Sequence, residues 1–102
     1  MARPYSDKLL IHLANADPDR VGVQLAKICV EAKLPASAVA EHFNVSRMAV
    51  HGWFRGNYIR EKKCIKIRKF MSVVQKDLDK GKLPTKTQIL AKKYLQNIAN
   101  DY

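Results

Sequence analysis

Basic side chains concentrate in residues 47–76, where nine Lys and Arg residues stand against one acidic residue, Glu61. The preceding segment, 1–46, holds five basic and five acidic residues, so residues 47–76 supply +8 of the formal net charge of +10. Ammonium and guanidinium groups attract phosphate, and a dense basic segment is the electrostatic footprint of a polyanion-binding surface. By itself such a run is also typical of a solvated helix face. A structural motif in the same segment is needed to favour nucleic acid.

Residues 36–55 have the pattern of two short helices joined by a tight turn. Val39 and Phe43 would lie on the buried side of the first helix, and the small side chain of Ala40 would let the two backbones approach where they cross. Asn44 tolerates the left-handed backbone conformation that such a turn often needs. Ser46 follows as an N-cap for the second helix. The pattern predicts a helix-turn-helix, which presents its second helix to the major groove of DNA.

The predicted second helix has two distinct faces. Helical spacing turns apolar residues inward: Ala49, Val50, Trp53 and Phe54. The outward face carries Arg47, Met48, His51, Gly52 and Arg55. We refer to this second helix as the recognition helix.

These residues resemble a known family. Ala40, the turn at Asn44, Val45, Ser46, Val50 and the run Trp-Phe-Arg-Gly at 53–56 are similar to the lambda-repressor-like, or Xre-type, helix-turn-helix proteins. The resemblance covers residues 21–70 and is strongest over 36–55. The chain departs from the family at Asn44, where Gly is usual, and at His51 and Gly52 in the recognition helix. The resemblance implies an all-α domain that binds double-stranded DNA, most often as a transcriptional regulator of phages or mobile elements.

The residues expected to contact bases are Ser46, Arg47, Met48, His51 and Gly52. Arg47 lies near the helix N-terminus, and an Arg–guanine pair is the commonest specific contact. Met48 can meet a thymine methyl group, and His51 can bind a base edge or a phosphate. Gly52 costs roughly 1 kcal/mol of helix stability relative to Ala. Close approach of the backbone to DNA and close packing against another helix explain that cost equally well.

A second set of residues is expected to bind phosphates: Arg55, Asn57, Tyr58, Arg60, Lys62, Lys63, Lys66 and Lys69. Lys62, Lys66 and Lys69 are four and three residues apart, which aligns them on one side of a long helix. A solvated helix face is an equally good interpretation of these three lysines. Tyr58 can equally serve as a lid over the core. Lys76 and Lys80 are expected to be merely solvated.

The remaining chain predicts further helices and almost no strand. A short helix over 7–14 would be capped by Ser6, and a second would begin with Asp17 as N-cap and Pro18 as its first residue. A long helix is expected over 60–80, with apolar Cys64, Ile67, Met71, Val74 and Leu78 on one face and Gly81 as its stop. A last helix would begin at Pro84 and Thr85, with an apolar stripe formed by Ala91, Tyr94, Leu95 and Ile98.

Composition restricts the class of protein. The chain of 102 residues is 47% hydrophobic, enough for one modest core over 1–102. It has no apolar run of membrane-spanning length and no apolar stretch of a signal peptide at its start, so we expect a cytoplasmic protein, in the cytosol or nucleoid of a host cell. Cys29 and Cys64 lie on apolar helix faces and are expected to be free, buried thiols. The sequence shows no phosphate-binding loop, metal-ligand cluster or nucleophile–base pair, so no enzyme activity, cofactor or metal is expected.

The sequence thus predicts a single all-α domain, with a helix-turn-helix at 36–55 and a C-terminal helical extension at 60–102, that binds specific double-stranded DNA as a regulator. Repression by promoter occlusion and contact with RNA polymerase are both compatible with it. A DNA-recognition subunit of a phage packaging machine, similar to a small terminase, is the first alternative, and a basic protein-interaction module is the second. The apolar stripe of the last helix predicts either a homodimer interface or a helix that folds back on Met71, Val74 and Leu78.

Overall fold

Six α-helices and no strand make up residues 7–98, the part of the chain that the computed structural model describes. The helices are α1 (Asp7–Asn15), α2 (Val21–Glu31), α3 (Ala36–Phe43), α4 (Arg47–Phe54), α5 (Glu61–Asp79) and α6 (Gln88–Asn97). The predicted all-α class is confirmed. Ser6, the expected cap of the first helix, lies outside the described residues.

Two helix starts differ from the sequence-based prediction. Asp17 does not cap α2, because its carboxylate accepts the N–H of Asp19 at 2.9 Å in a tight turn that precedes the helix. The helix begins only at Val21. The last helix likewise begins later than the predicted Pro84 and Thr85, at Gln88. Its cap is Thr87, whose hydroxyl accepts the N–H of Leu90 at 3.2 Å.

The connection between α3 and α4 has the predicted local geometry. Asn44 ends α3 in the left-handed conformation, with φ 56° and ψ 47°. The N–H of Val45 then donates to the carbonyl of Ala40 at 3.0 Å, which reverses the chain tightly. Ser46 caps α4, since its hydroxyl oxygen accepts the N–H of Ala49 at 3.1 Å. Short-range hydrogen bonds therefore fix where α4 begins and in which direction it runs.

The core lies where α2 packs on α4 and α5, and where α3 packs on α4 and α6. Its largest fully buried side chains include Phe54 of α4 and Phe70 of α5. Phe43 of α3 contacts Phe70 edge to face, with ring centroids 5.1 Å apart. Phe70 was missing from the apolar stripe predicted for the long helix, although it is more deeply buried than Met71 or Leu78.

Helix α2 comes very close to α4 at Gly22. A β-carbon on this residue would lie 2.6 Å from the carbonyl carbon of Trp53 and 3.0 Å from its Cα, and nearer still to its carbonyl oxygen. Such distances exclude any side chain, so the absence of one lets α2 rest directly on the backbone of α4. Gly22 thus sets the separation of the two helices.

The last helix folds back onto the same chain. Ala91 and Leu95 are buried in the common core, and α6 packs mainly on α3. The Tyr94 hydroxyl donates to the carboxylate of Asp77 on α5. The buried part of the apolar stripe is thus explained by packing within one chain, the second of the two alternatives. The main partner of α6 is α3, whereas the sequence predicted Met71, Val74 and Leu78 of α5. A homodimer stays a prediction, and it would have to use the other side of α6, where Ile89 and Leu90 are exposed.

The two thiols differ in burial. Cys29 is fully buried, whereas Cys64 is only partly buried, and within residues 7–98 neither forms a disulfide. The Cys64 thiol donates to the carbonyl of Ile59 at 3.4 Å, at the beginning of α5. Within residues 7–98 no helix combines the length and apolar character needed to cross a bilayer.

Candidate nucleic-acid interface

Three of the DNA-contact residues predicted on the outward face of α4 are exposed to solvent. Arg47 and Arg55 are exposed, and the side chain of Met48 is 83% exposed. His51 is half-buried, since its ring meets the edge of Phe54 with centroids 6.1 Å apart. The inward face is formed by Val50, Trp53 and Phe54 as predicted, whereas Ala49 is only half-buried.

Ser46 already has a structural role at the start of this face. Its hydroxyl oxygen accepts the capping hydrogen bond from Ala49, which leaves the hydroxyl hydrogen available for a base or phosphate. The hydroxyl is exposed and lies beside Arg47. A contact from Ser46 to DNA would therefore be made without breaking the cap.

The end of α4 is a left-handed turn closed by two hydrogen bonds. The N–H of Gly56 donates to the carbonyl of Trp53 at 2.9 Å, and the N–H of Asn57 donates to the carbonyl of Gly52 at 3.0 Å. Gly56 has φ +93°, which glycine adopts without strain. This is a Schellman motif, and it brings the chain back over the last turn of α4.

Asn57 occupies the space beside Gly52. A β-carbon on Gly52 would lie 2.9 Å from the Nδ2 atom of Asn57 and 3.8 Å from its Cγ. Within residues 7–98, no residue of another helix comes within 4 Å of that position. Packing against another helix, one of the two explanations offered for this glycine, is therefore wrong.

The segment that leads from α4 to α5 exposes a large aromatic side chain. Tyr58 is 82% exposed, so the alternative in which it serves as a lid over the core is wrong. Its neighbour Ile59 packs against the core instead. Arg60 is exposed at the N-cap of α5 and makes no side-chain capping bond. Tyr58 and Arg60 are both available to a ligand.

Lysines line the solvent side of α5. Lys62, Lys66 and Lys69 are exposed and Lys63 is half-buried, while Ile67, Phe70 and Val74 form the buried side. From Arg60 to Lys69 the helix rises about 13 Å, at roughly 1.5 Å per residue. In the described part of the chain the ion pairs are Arg20–Asp17 and Lys92–Glu41. None of these lysines forms an ion pair with a carboxylate of the described residues.

Arg20 joins this region, although sequence reasoning did not select it. Its Cγ lies 3.8 Å from where a β-carbon on Gly56 would be, so its stem runs beside the turn that ends α4. Its guanidinium reaches the carboxylate of Asp17 at 4.0 Å, with both side chains more than half exposed. Only the packing of α2 on α4 brings Arg20 here. No local pattern in the sequence signals it.

His42 of α3 is buried where α3 packs on α6. Its Nδ1 lies 3.3 Å from the carbonyl oxygen of Leu95, and its ring centroid lies 5.0 Å from that of Phe70. Burial lowers the pKa of His42 from its ordinary value of 6.5, and the Leu95 carbonyl partly opposes this effect. His42 belongs to the contact between α3 and α6, away from the outward face of α4.

Among residues 7–98 no group of three or more His, Cys, Asp or Glu side chains could hold a metal ion. The chain matches no protein-family model, no curated protein and no solved structure.

Proposed function

We propose that this protein binds specific sequences in double-stranded DNA and acts as a transcriptional regulator, with α3 and α4 as a helix-turn-helix of the lambda-repressor type. One observation carries the proposal: α4 is capped, packed on α2 and α3 along one face, and exposed to solvent at Arg47, Met48 and Arg55 on the other. An α-helix with its side chains is about 10 to 12 Å across, and the major groove is about 12 Å wide. In the proposed complex the exposed face of α4 lies in that groove.

The charge around α4 suits a nucleic acid better than an uncharged ligand. Arg60 and the lysines of α5 continue from the C-terminal end of α4 without a paired carboxylate in the described residues. Phosphate contacts of this kind orient a protein on DNA and provide affinity that does not depend on sequence. Arg47 at the start of α4 would supply specificity by pairing with guanine.

Salt dependence tests the proposed phosphate surface. If about six phosphates are neutralised, log K should fall with log salt with a slope of roughly −5. Replacing Arg60, Lys62, Lys63, Lys66 or Lys69 with Ala should weaken binding to all duplexes alike and make the slope shallower by about one unit. Lys76→Ala and Lys80→Ala serve as matched controls, because they remove the same charge farther along the chain. Unchanged binding in all five test variants would refute this surface.

Selection of sites from random duplex DNA, followed by footprinting, tests specificity. Arg47→Ala should weaken binding to the preferred site by roughly 1 to 3 kcal/mol and binding to random DNA much less. His51→Ala should alter the preference at a neighbouring base pair. Equal losses on preferred and random duplexes would show that Arg47 and His51 contact the DNA backbone instead. If the selection yields no consensus sequence, the proposal of a sequence-specific regulator is refuted.

The form of the selected site and the mass of the protein separate the regulator from its alternatives. A dimer that binds a palindrome, with half-sites about 34 Å apart, suits a regulator, whereas a large ring suits a packaging subunit. If the protein is instead a basic module that binds an acidic protein, competing duplex DNA should displace that partner only weakly.

A further inference from the structure

The outward face of α4 has a gap at Gly52 that a residue outside the helix fills. Gly52 lies one helical turn after Met48, so both positions face the same way. Met48 is 83% exposed. At Gly52 the direction of the missing side chain leads to the amide of Asn57, with Nδ2 2.9 Å from the β-carbon position. The Asn57 amide therefore lies where a side chain of residue 52 would stand.

Hydrogen bonds of the main chain fix the backbone of Asn57 relative to α4. The N–H of Asn57 donates to the carbonyl of Gly52 at 3.0 Å, and the N–H of Gly56 donates to the carbonyl of Trp53 at 2.9 Å. Both bonds belong to the turn that ends α4, so the backbone of Asn57 moves with the helix. A residue whose backbone is positioned before binding loses less conformational freedom when the complex forms.

We propose that Asn57 is a base-reading residue that recognises adenine from the outward face of α4. This inference rests on the proposed function, and it replaces the phosphate contact that the sequence predicts for Asn57. A primary amide offers a donor N–H and an acceptor C=O side by side. These match the N7 acceptor and N6 donor that adenine presents in the major groove, a pairing that Asn commonly makes.

The proposal also assigns a role to Gly52. A real β-carbon 2.9 Å from Nδ2 is too close, so Gly52→Ala must push the Asn57 amide away from its position. The two residues then act as a pair: Gly52 leaves the space, and Asn57 uses it. Gly52 need not touch DNA itself.

The experiment measures dissociation constants for the selected duplex and for every single base-pair change in it. The proteins are wild type, Asn57→Ala, Gly52→Ala and the double variant. Wild type should discriminate against replacement of one A·T pair by roughly 5- to 150-fold. Asn57→Ala should lose that discrimination at this pair alone, Gly52→Ala should lose it at the same pair, and the double variant should lose no more. Asn97→Ala, at the exposed end of α6, is the matched control and should bind as wild type does.

Asn57→Asp provides a variant of the same shape. It removes the N–H donor while the backbone bonds remain, and the relative preference at the same pair should move from adenine towards cytosine, whose N4 amine donates to carboxylates. Equal weakening of all duplexes by Asn57→Ala would overturn the proposal in favour of a phosphate contact. A change at different pairs for Gly52→Ala and Asn57→Ala would overturn it in favour of direct backbone contact at Gly52. A wild type without sequence preference refutes the proposed function itself, which is a separate result.

Discussion

Gly22→Ala tests the packing of α2 on α4 most directly. The added β-carbon would lie 2.6 Å from the carbonyl carbon of Trp53, whereas carbon atoms in good contact are about 3.5 to 4.0 Å apart. The two helices would have to separate by about 1 Å, and the opposing atoms are backbone that cannot rotate away. Overpacking costs typically 1–3 kcal/mol, and we expect the upper end of that range here.

A gain partly offsets this cost. Ala is better than Gly in a helix interior by roughly 1 kcal/mol, so the free energy of unfolding should fall by about 2 kcal/mol in total. For a domain of this size the melting temperature should fall by about 8 to 16 °C. Urea unfolding followed by circular dichroism, together with a thermal scan, measures both quantities.

Gly52→Ala is the matched control, because it makes the same chemical change inside α4. Only the end of the flexible Asn57 side chain opposes the new β-carbon, so stability should stay unchanged or rise by up to about 1 kcal/mol. The same substitution should therefore lower the free energy of unfolding at position 22 but not at position 52. If Gly22→Ala proves as stable as wild type, α2 and α4 are not in the close contact described.

Three further predictions address the cap, the buried histidine and the last helix. Ser46→Ala should lower the free energy of unfolding by about 1 kcal/mol through loss of the α4 cap, while Ser72→Ala on the exposed side of α5 should not. Because the pKa of folded His42 is lowered, the unfolded chain takes up this proton more readily, so the free energy of unfolding should fall as the pH decreases below 6.5. His42→Gln should make urea unfolding less dependent on pH there, and an unchanged dependence would contradict the assignment. Leu95→Lys should destabilise the fold, whereas Leu90→Lys should leave folding intact and lower the mass in solution if a dimer forms; a wild-type monomer with and without DNA would exclude that dimer.

Local signals made the α3–α4 connection predictable. Asn44 adopts the left-handed conformation and Ser46 caps α4, and both effects depend on atoms within a few residues of each other in the chain. The same rules placed two other starts wrongly, because several residues in one turn could act as the cap. Asp17 bonds the N–H of Asp19, and nothing in the local sequence decides between that turn and a helix.

Long-range packing was not predictable from the sequence. The contact between His42 and Leu95 joins residues 53 positions apart, and the amphipathic pattern of α3 only indicates that one face is buried. The role of Gly22 cannot be seen in the sequence of α2, because it depends on the backbone of α4. The position of Arg20 was unpredictable for the same reason, since it follows from how α2 packs against α4.

Because α4 has one exposed and one buried face, its surface residues can change in evolution without changing the residues that stabilise the fold. Arg47, Met48 and Arg55 are exposed, whereas Val50 and Phe54 are fully buried. Exposed substitutions usually change stability by no more than about 0.5 kcal/mol, so mutational drift at the exposed positions is nearly free of selection for folding. Position 52 is also free of that selection, but a side chain there displaces the side-chain amide of Asn57. One substitution at position 52 would therefore change the surface at position 57 as well.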